Sequence, residues 1–182
     1  MTAPRHSKTS TAAPPLRGAF LDAMSRTACS VTVVSTDGPA GRAGVTVSAM
    51  SSVSADGPTP KLLICVHRSG AACPAILENG VFCVNLLRAE QSGISDVFAG
   101  RTDAVGADRF SGLDWTRMVT GAPRLIDPLA AFDCRLSHAN LVGTHYVMFG
   151  AVEAVFVADS GAPLIYADRA YGTPGSLAQA AA

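Results

Sequence analysis

Between Gly44 and Leu87 the chain reads GVTVSAMSSVSADGPTPKLLICVHRSGAACPAILENGVFCVNLL, and no other stretch restricts its fold as much. Val45–Ser54 and Lys61–His67 are rich in β-branched and apolar residues, and Asp56-Gly57-Pro58 parts them as a turn. Arg68-Ser69 forms the next turn. A short helix over Ala71–Glu78 then closes at Asn79-Gly80, a helix-stop signal, and Val81–Leu87 is a further strand. Hydroxyls and backbone N–H groups on such a β framework suit the gripping of a phosphate and a polar ring system.

The flanking sequence extends this pattern. Leu16, Phe20, Leu21 and Met24 recur at helical spacing, which predicts an amphipathic opening helix over Leu16–Ala28. Ser30–Thr36 is strand-like and is broken by Asp37-Gly38. Gln91–Phe98 reads as a helix ended by Gly100. The stretch from Arg101 to Pro123 reads as irregular, anchored by Trp115. Ala130–Leu141 alternates, with Phe132, Cys134 and Leu136 on one face and Asp133, Arg135 and Ser137 on a solvated one. Val147–Val157 is nearly all apolar and reads as buried on both sides; Leu164–Tyr166 is a last short strand. Many consecutive strands with few helices between them argue for an antiparallel barrel with helical inserts over a doubly wound α/β sheet.

Composition removes several function classes. Charged residues make up 15% of the 182 residues, against roughly 25% in an average globular protein, while hydrophobic residues make up 48%. So little surface charge implies that another subunit covers part of the chain. The formal net charge is +0 and no basic run occurs, which leaves no electrostatic footprint for nucleic acid. No apolar run is long enough to span a membrane. The polar N-terminus lacks a signal-peptide core. Five cysteines without C-x-x-C spacing read as reduced thiols in a cytoplasmic protein. One folded domain over 16–172 is expected, with tails at 1–15 (disordered) and 173–182.

Each motif has a plain alternative. Gly38, Gly41 and Gly44 come after a strand but lack the spacing of a dinucleotide fingerprint, and the next element is a strand rather than a helix. Thr46, Ser48, Ser51, Ser52 and Ser54 crowd one strand, either as donors to a ring or as a solvated face. Arg68-Ser69 offers a guanidinium and a hydroxyl as a phosphate clamp, or is a surface turn. Asn85 could reach a cofactor edge or cap the next segment. His145 comes after Gly143-Thr144 in a turn between strands, where a histidine is either functional or structural. Cys134 and His138 share a strand face but lack further ligands, so no metal site is expected. No G-x-S-x-G elbow is present.

In order and spacing these pieces resemble the short-chain flavin reductases, the reductase components of two-component flavin-dependent monooxygenases. Those serving hydroxyphenylacetate and chlorophenol monooxygenases are the nearest in look. The likeness spans Leu16–Tyr171 and rests on PAGRAGVTVSAMSSVS, LLICVHRSGAA, NGVFCVNLL, the run from Gln91 through Phe98 to Gly100, Arg109-Phe110, Gly121-Ala122-Pro123, Phe132-Asp133-Cys134, Gly143-Thr144-His145, Pro163–Tyr166 and Arg169-Ala-Tyr171. It implies a mainly β fold, an FMN-binding split β-barrel (a Greek-key barrel) that forms a homodimer. It also implies reduction of FMN or FAD by NADH, sometimes NADPH, with reduced flavin passed to a separate monooxygenase.

In that resemblance the flavin lies against Val47, Ser48, Ala49, Ser51 and Ser52, with Thr46, Asn85 and Phe98 among the cofactor contacts. Its phosphate tail sits near His67, Arg68 and Ser69. His145, as catalytic residue, and Tyr171 lie near the nicotinamide. Many members carry Asp where this chain has Thr144, while others carry Thr or Ser. A flavin-binding storage or sensor protein of the same fold, without turnover, is the alternative.

Overall fold

The computed structural model describes residues 15–176. The tails expected at 1–15 and 173–182 fall outside these, apart from Pro15 and residues 173–176. In chain order the strands are β1 (Cys29–Ser30), β2 (Thr32–Thr36), β3 (Ala43–Val47), β4 (Met50–Ser54), β5 (Lys61–His67), β6 (Val81–Leu86), β7 (Trp115–Arg117), β8 (Pro123–Leu125), β9 (Ala130–Val142), β10 (His145–Val157), β11 (Ile165–Ala167) and β12 (Ala170–Gly172). The helices are α1 (Pro15–Ser25), α2 (Ala72–Asn79) and α3 (Ser92–Phe98), with 3₁₀ turns at Ala89–Gln91 and Gly106–Phe110.

Seven strands form one antiparallel sheet in the order β3-β2-β6-β9-β10-β5-β4. Its two edge strands, β3 and β4, are consecutive in sequence and joined only by Ser48-Ala49. The sheet therefore curls until its edges meet at that link without a closed ladder, which is a split barrel. Val34, Val47, Leu62, Ile64, Phe82, Val84 and Met148 fill the interior, and Cys73 and Ile76 of α2 plug one end. Gly80 (φ 68°) stops α2 in the left-handed region where glycine is preferred. A second cluster, Val31, Val33, Leu87, Phe98, Phe110, Leu125 and Leu164, packs α3 and the segment after it on the outer face.

Gly44 makes that outer packing possible, since a Cβ there would stand 2.7 Å from Phe98 Cε1. Buried hydroxyls hold the ladder from the side: Thr32 Oγ1 donates to the Val47 carbonyl (2.8 Å) and Thr36 Oγ1 to that of Val81 (2.7 Å).

Several sequence expectations need correction. The strand predicted over Val45–Ser54 is two strands, and the one predicted over Ser30–Thr36 breaks at Val31, whose N–H donates to Leu164 O. The stretch from Arg101 to Pro123 contains a 3₁₀ turn and the first strand of a small hairpin, β7–β8, beside the half-buried Trp115. Asp133 is fully buried rather than solvated, and accepts hydrogen bonds from Thr120 N–H (2.7 Å) and Oγ1 (2.5 Å). The β10 strand is not buried on both sides, for Val155 and Val157 are 52% and 69% exposed. Helix α1 forms, but buries none of its residues. No helix among the described residues is long and apolar enough to cross a membrane.

Candidate functional site

At the split of the barrel the chain leaves β3, turns at Ser48-Ala49 and enters β4. The turn is held from below, where Met50 N–H donates to Ser48 O (3.2 Å) and Cys65 N–H to Ala49 O (3.0 Å). The Ser48 and Ala49 amides themselves make no hydrogen bond among the described residues, and both residues are exposed. Two unspent donors on a bent backbone form a small anion- or carbonyl-binding concavity. Both residues line a trough of about 580 Å³, together with Thr46, Val47, Cys65, His67, His145 and Val147, with Phe20 of α1 at its rim.

The two histidines are cross-strand partners on β5 and β10, with ring centroids 4.8 Å apart and planes near perpendicular. Ser69 donates its N–H to His67 Nδ1 (3.2 Å), and its Oγ lies 2.8 Å from the same nitrogen. An accepting Nδ1 fixes the Nε2–H tautomer of neutral His67. Thr144 Oγ1 lies 3.0 Å from His145 Nδ1. Both rings thus have a hydroxyl of their own turn at Nδ1, and Nε2 makes no hydrogen bond among the described residues.

Thr46 and Ser48 also line a second hollow of about 270 Å³, with Val31, Ser95, Phe98, Arg101, Tyr166 and Tyr171, so the two spaces adjoin along one ridge. Tyr171 OH donates to Ser95 Oγ or Asp96 Oδ1 (2.9 and 2.8 Å) and accepts from Arg101 Nη1 (3.1 Å). Burial raises the Tyr171 pKa above its ordinary value, so the phenol stays protonated.

The structure brings together Thr46, Val47, Ser48, Ala49, His67 and His145 in one trough, and Thr46, Ser48, Phe98 and Tyr171 in the adjoining hollow. It sets others apart. Arg68 and Ser69, in the turn after β5, line a separate hollow of about 460 Å³ with Cys73, Leu77 and Tyr146. Ser69 still touches the histidine trough through His67. Ser51 and Ser52 are exposed on β4, away from these spaces.

Asn85 departs from its cofactor-edge expectation. It is fully buried, donating to Val33 O and Ser35 Oγ (both 3.1 Å) and accepting from Leu125 N–H (2.8 Å), and so braces β2 and β8. Cys134 is buried and His138 exposed; a bulge between them breaks the shared face. Among the described residues no group of three metal-ligating side chains gathers.

Arg101, Tyr166 and Ser95 are lining residues that the sequence did not single out. Only Gly100 signalled that the chain turns back here. With φ 71° it ends α3 in a paired set of bonds, Gly100 N–H to Val97 O and Arg101 N–H to Asp96 O.

Residues 24–175 match the Flavin reductase like domain family. The FMN reductase (NADH) RutF 2 of Methylorubrum extorquens is 48% identical over 153 residues, covering 84% of this chain and 87% of that protein. The FMN reductase (NADH) RutF of Stutzerimonas stutzeri is 43% identical over 159 residues, covering 87% and 89%. Among solved structures, BorF, the flavin reductase component of a bacterial two-component tryptophan halogenase, superposes with a TM-score of 0.79. It is 28% identical, with 88% of this chain and 99% of that one covered.

Proposed function

Because this chain belongs to the flavin-reductase-like family, we propose that it is an NADH-dependent flavin reductase, moving a hydride from NADH to FMN or FAD and supplying reduced flavin to a separate monooxygenase. The observation that carries this reading is the trough at the barrel split, lined by Ser48 and Ala49, whose amides are free of hydrogen bonds among the described residues, and by the paired imidazoles of His67 and His145.

The residues fit a flavin. The Thr46–Ala49 backbone offers a ledge for a flat ring, with the Ser48 and Ala49 N–H groups placed to donate to a ring oxygen. When bound, the flavin and the nicotinamide supply the reactive atoms themselves. The chain contributes position and charge complementarity, and holding two partners in register is worth roughly 7–11 kcal/mol of a barrier. Preorganised amides add electrostatic stabilisation because they need no reorientation as negative charge develops. His145 in the trough and Tyr171 in the adjoining hollow would hold the nicotinamide, and Arg68 and Ser69, beside His67, would hold the phosphate of the flavin.

The working form is a homodimer in the cytoplasm. Its support is α1, whose Leu16 (78% exposed), Phe20 (59%) and Met24 (47%) face solvent in a single chain. Phe20 lies at the trough rim, so a second copy laid on α1 would also roof the site.

Steady-state oxidation of NADH with added FMN, FAD or riboflavin tests the activity. Turnover that depends on flavin is expected. Flavin binding without any NADH oxidation would make the protein a flavin store or sensor instead.

A further inference from the structure

Arg101 is the single charged residue lining the hollow beside Tyr166 and Tyr171. Its placement is built by the end of α3: the glycine turn at Gly100 folds the chain back and the N–H of Arg101 returns to Asp96 O. One nitrogen, Nη1, donates to Asp96 Oδ1 (3.0 Å) and Tyr171 OH (3.1 Å), and Tyr166 takes a further side-chain hydrogen bond. A guanidinium carries five N–H donors, more than these three partners use. The side chain is 52% exposed and its carbon lies 5.9 and 5.7 Å from the Tyr166 and Tyr171 ring centroids. The hydrogen bond to Asp96 holds its pKa above the ordinary arginine value.

A planar cation held by Asp96 and Tyr171, next to two aromatic faces and in a different hollow from Arg68, matches the geometry by which arginine takes phosphate oxygens. Resting on the flavin reductase reading, we propose that Arg101 binds the pyrophosphate of the reduced nicotinamide dinucleotide and so sets affinity for that substrate, while Arg68 serves the flavin side. Asp96 opposes this. Its carboxylate locks the guanidinium in place but repels an arriving phosphate, so the pair tunes affinity downward from what a free arginine would give.

The test compares NADH with dihydronicotinamide riboside, which carries the same reactive ring and no phosphate, using purified full-length protein. For Arg101→Gln the KM for NADH should rise about tenfold or more, the scale of a lost charge-assisted hydrogen bond. Turnover with the riboside should change by less than twofold, and Kd for FMN and for riboflavin should stay together. For Asp96→Asn, which keeps the hydrogen-bonding shape, the KM for NADH should fall.

In the unmodified protein, added salt should raise the KM for NADH and not for the riboside, a result that needs no variant to fold. Equal losses with NADH and the riboside in Arg101→Gln, or a rise in KM for both variants, would make the pair a brace for Tyr171 and overturn the proposal. A loss confined to FMN against riboflavin would hand Arg101 to the flavin phosphate and overturn it as well. Absence of NADH oxidation in the unmodified protein would instead remove the flavin reductase reading itself.

Discussion

At the scale of residues, the site depends on side chains whose orientation is fixed by small neighbours. His145 has the neutral hydroxyl of Thr144, Oγ1, 3.0 Å from its Nδ1. A hydroxyl orients the ring without adding a negative charge beside it, which suits a ring placed next to an electron-rich nicotinamide. His145→Ala should therefore raise the KM for NADH roughly three- to tenfold, the net worth of one hydrogen bond, and slow hydride transfer, with flavin Kd nearly unchanged. A lowered melting temperature with unaltered NADH kinetics would make His145 a structural residue.

Arg68→Ala should weaken FMN binding by about 1.5–3 kcal/mol, the range for hydrogen bonds to a charged group, and spare riboflavin. Equal losses for both would remove Arg68 from the phosphate site. The thiols supply an independent check on packing. Burial drives the pKa values of Cys83 and Cys134 far above the ordinary thiol value, so little of the reactive thiolate exists in the folded protein. Peptide mapping after brief labelling at mildly alkaline pH should find these two unmodified in the folded protein and modified once it is denatured.

At the scale of elements, glycine decides how closely layers approach. Gly150 on β10 faces the barrel interior, where an added Cβ would meet Phe82 Cζ at 2.6 Å and Cys134 Cβ at 2.9 Å. Gly150→Ala should cost about 1–3 kcal/mol through overpacking, read as a melting temperature lower by several degrees; an unchanged melting temperature would show that the interior yields at that point.

Element by element, the sequence was legible where composition and turn signals bounded a whole segment. The β5 strand lies where its apolar run after the Asp56-Gly57-Pro58 turn put it, at Lys61–His67, and α2 ends at Asn79-Gly80 as its stop signal required. The barrel split was not legible, because Ser48-Ala49 interrupts a run whose residues on either side all favour strand. The β7–β8 hairpin was missed because three residues a side carry too little alternation to register. Asp133 was misplaced because period two set it opposite Phe132 and Cys134; its partner Thr120, half-buried, lies in a separate segment. Of the site, the Thr46–Ala49 ledge and the histidine pair could be traced to motifs. Arg101 could not, since its role depends on a turn that brings it against Tyr171 from 70 residues away.

At the scale of the whole molecule, the exposed apolar face of α1 and the outer edge of β10 are too much for a chain so poor in charge to leave in water. Sedimentation at micromolar concentration should give a dimer, and Phe20→Asp should shift it toward monomer while lowering NADH turnover, because the same side chain lies on the exposed apolar face of α1 and at the rim of the trough. A monomer with full turnover would separate assembly from activity.

Hydride transfer between NADH and a flavin held in this trough is tested most directly by anaerobic stopped-flow mixing of the protein and FMN with NADH. The visible absorbance of oxidised flavin should bleach in step with NADH loss, one flavin reduced per NADH consumed, and His145→Ala should slow that bleaching. Flavin that binds yet stays oxidised in the presence of saturating NADH would contradict a reductase role for this chain.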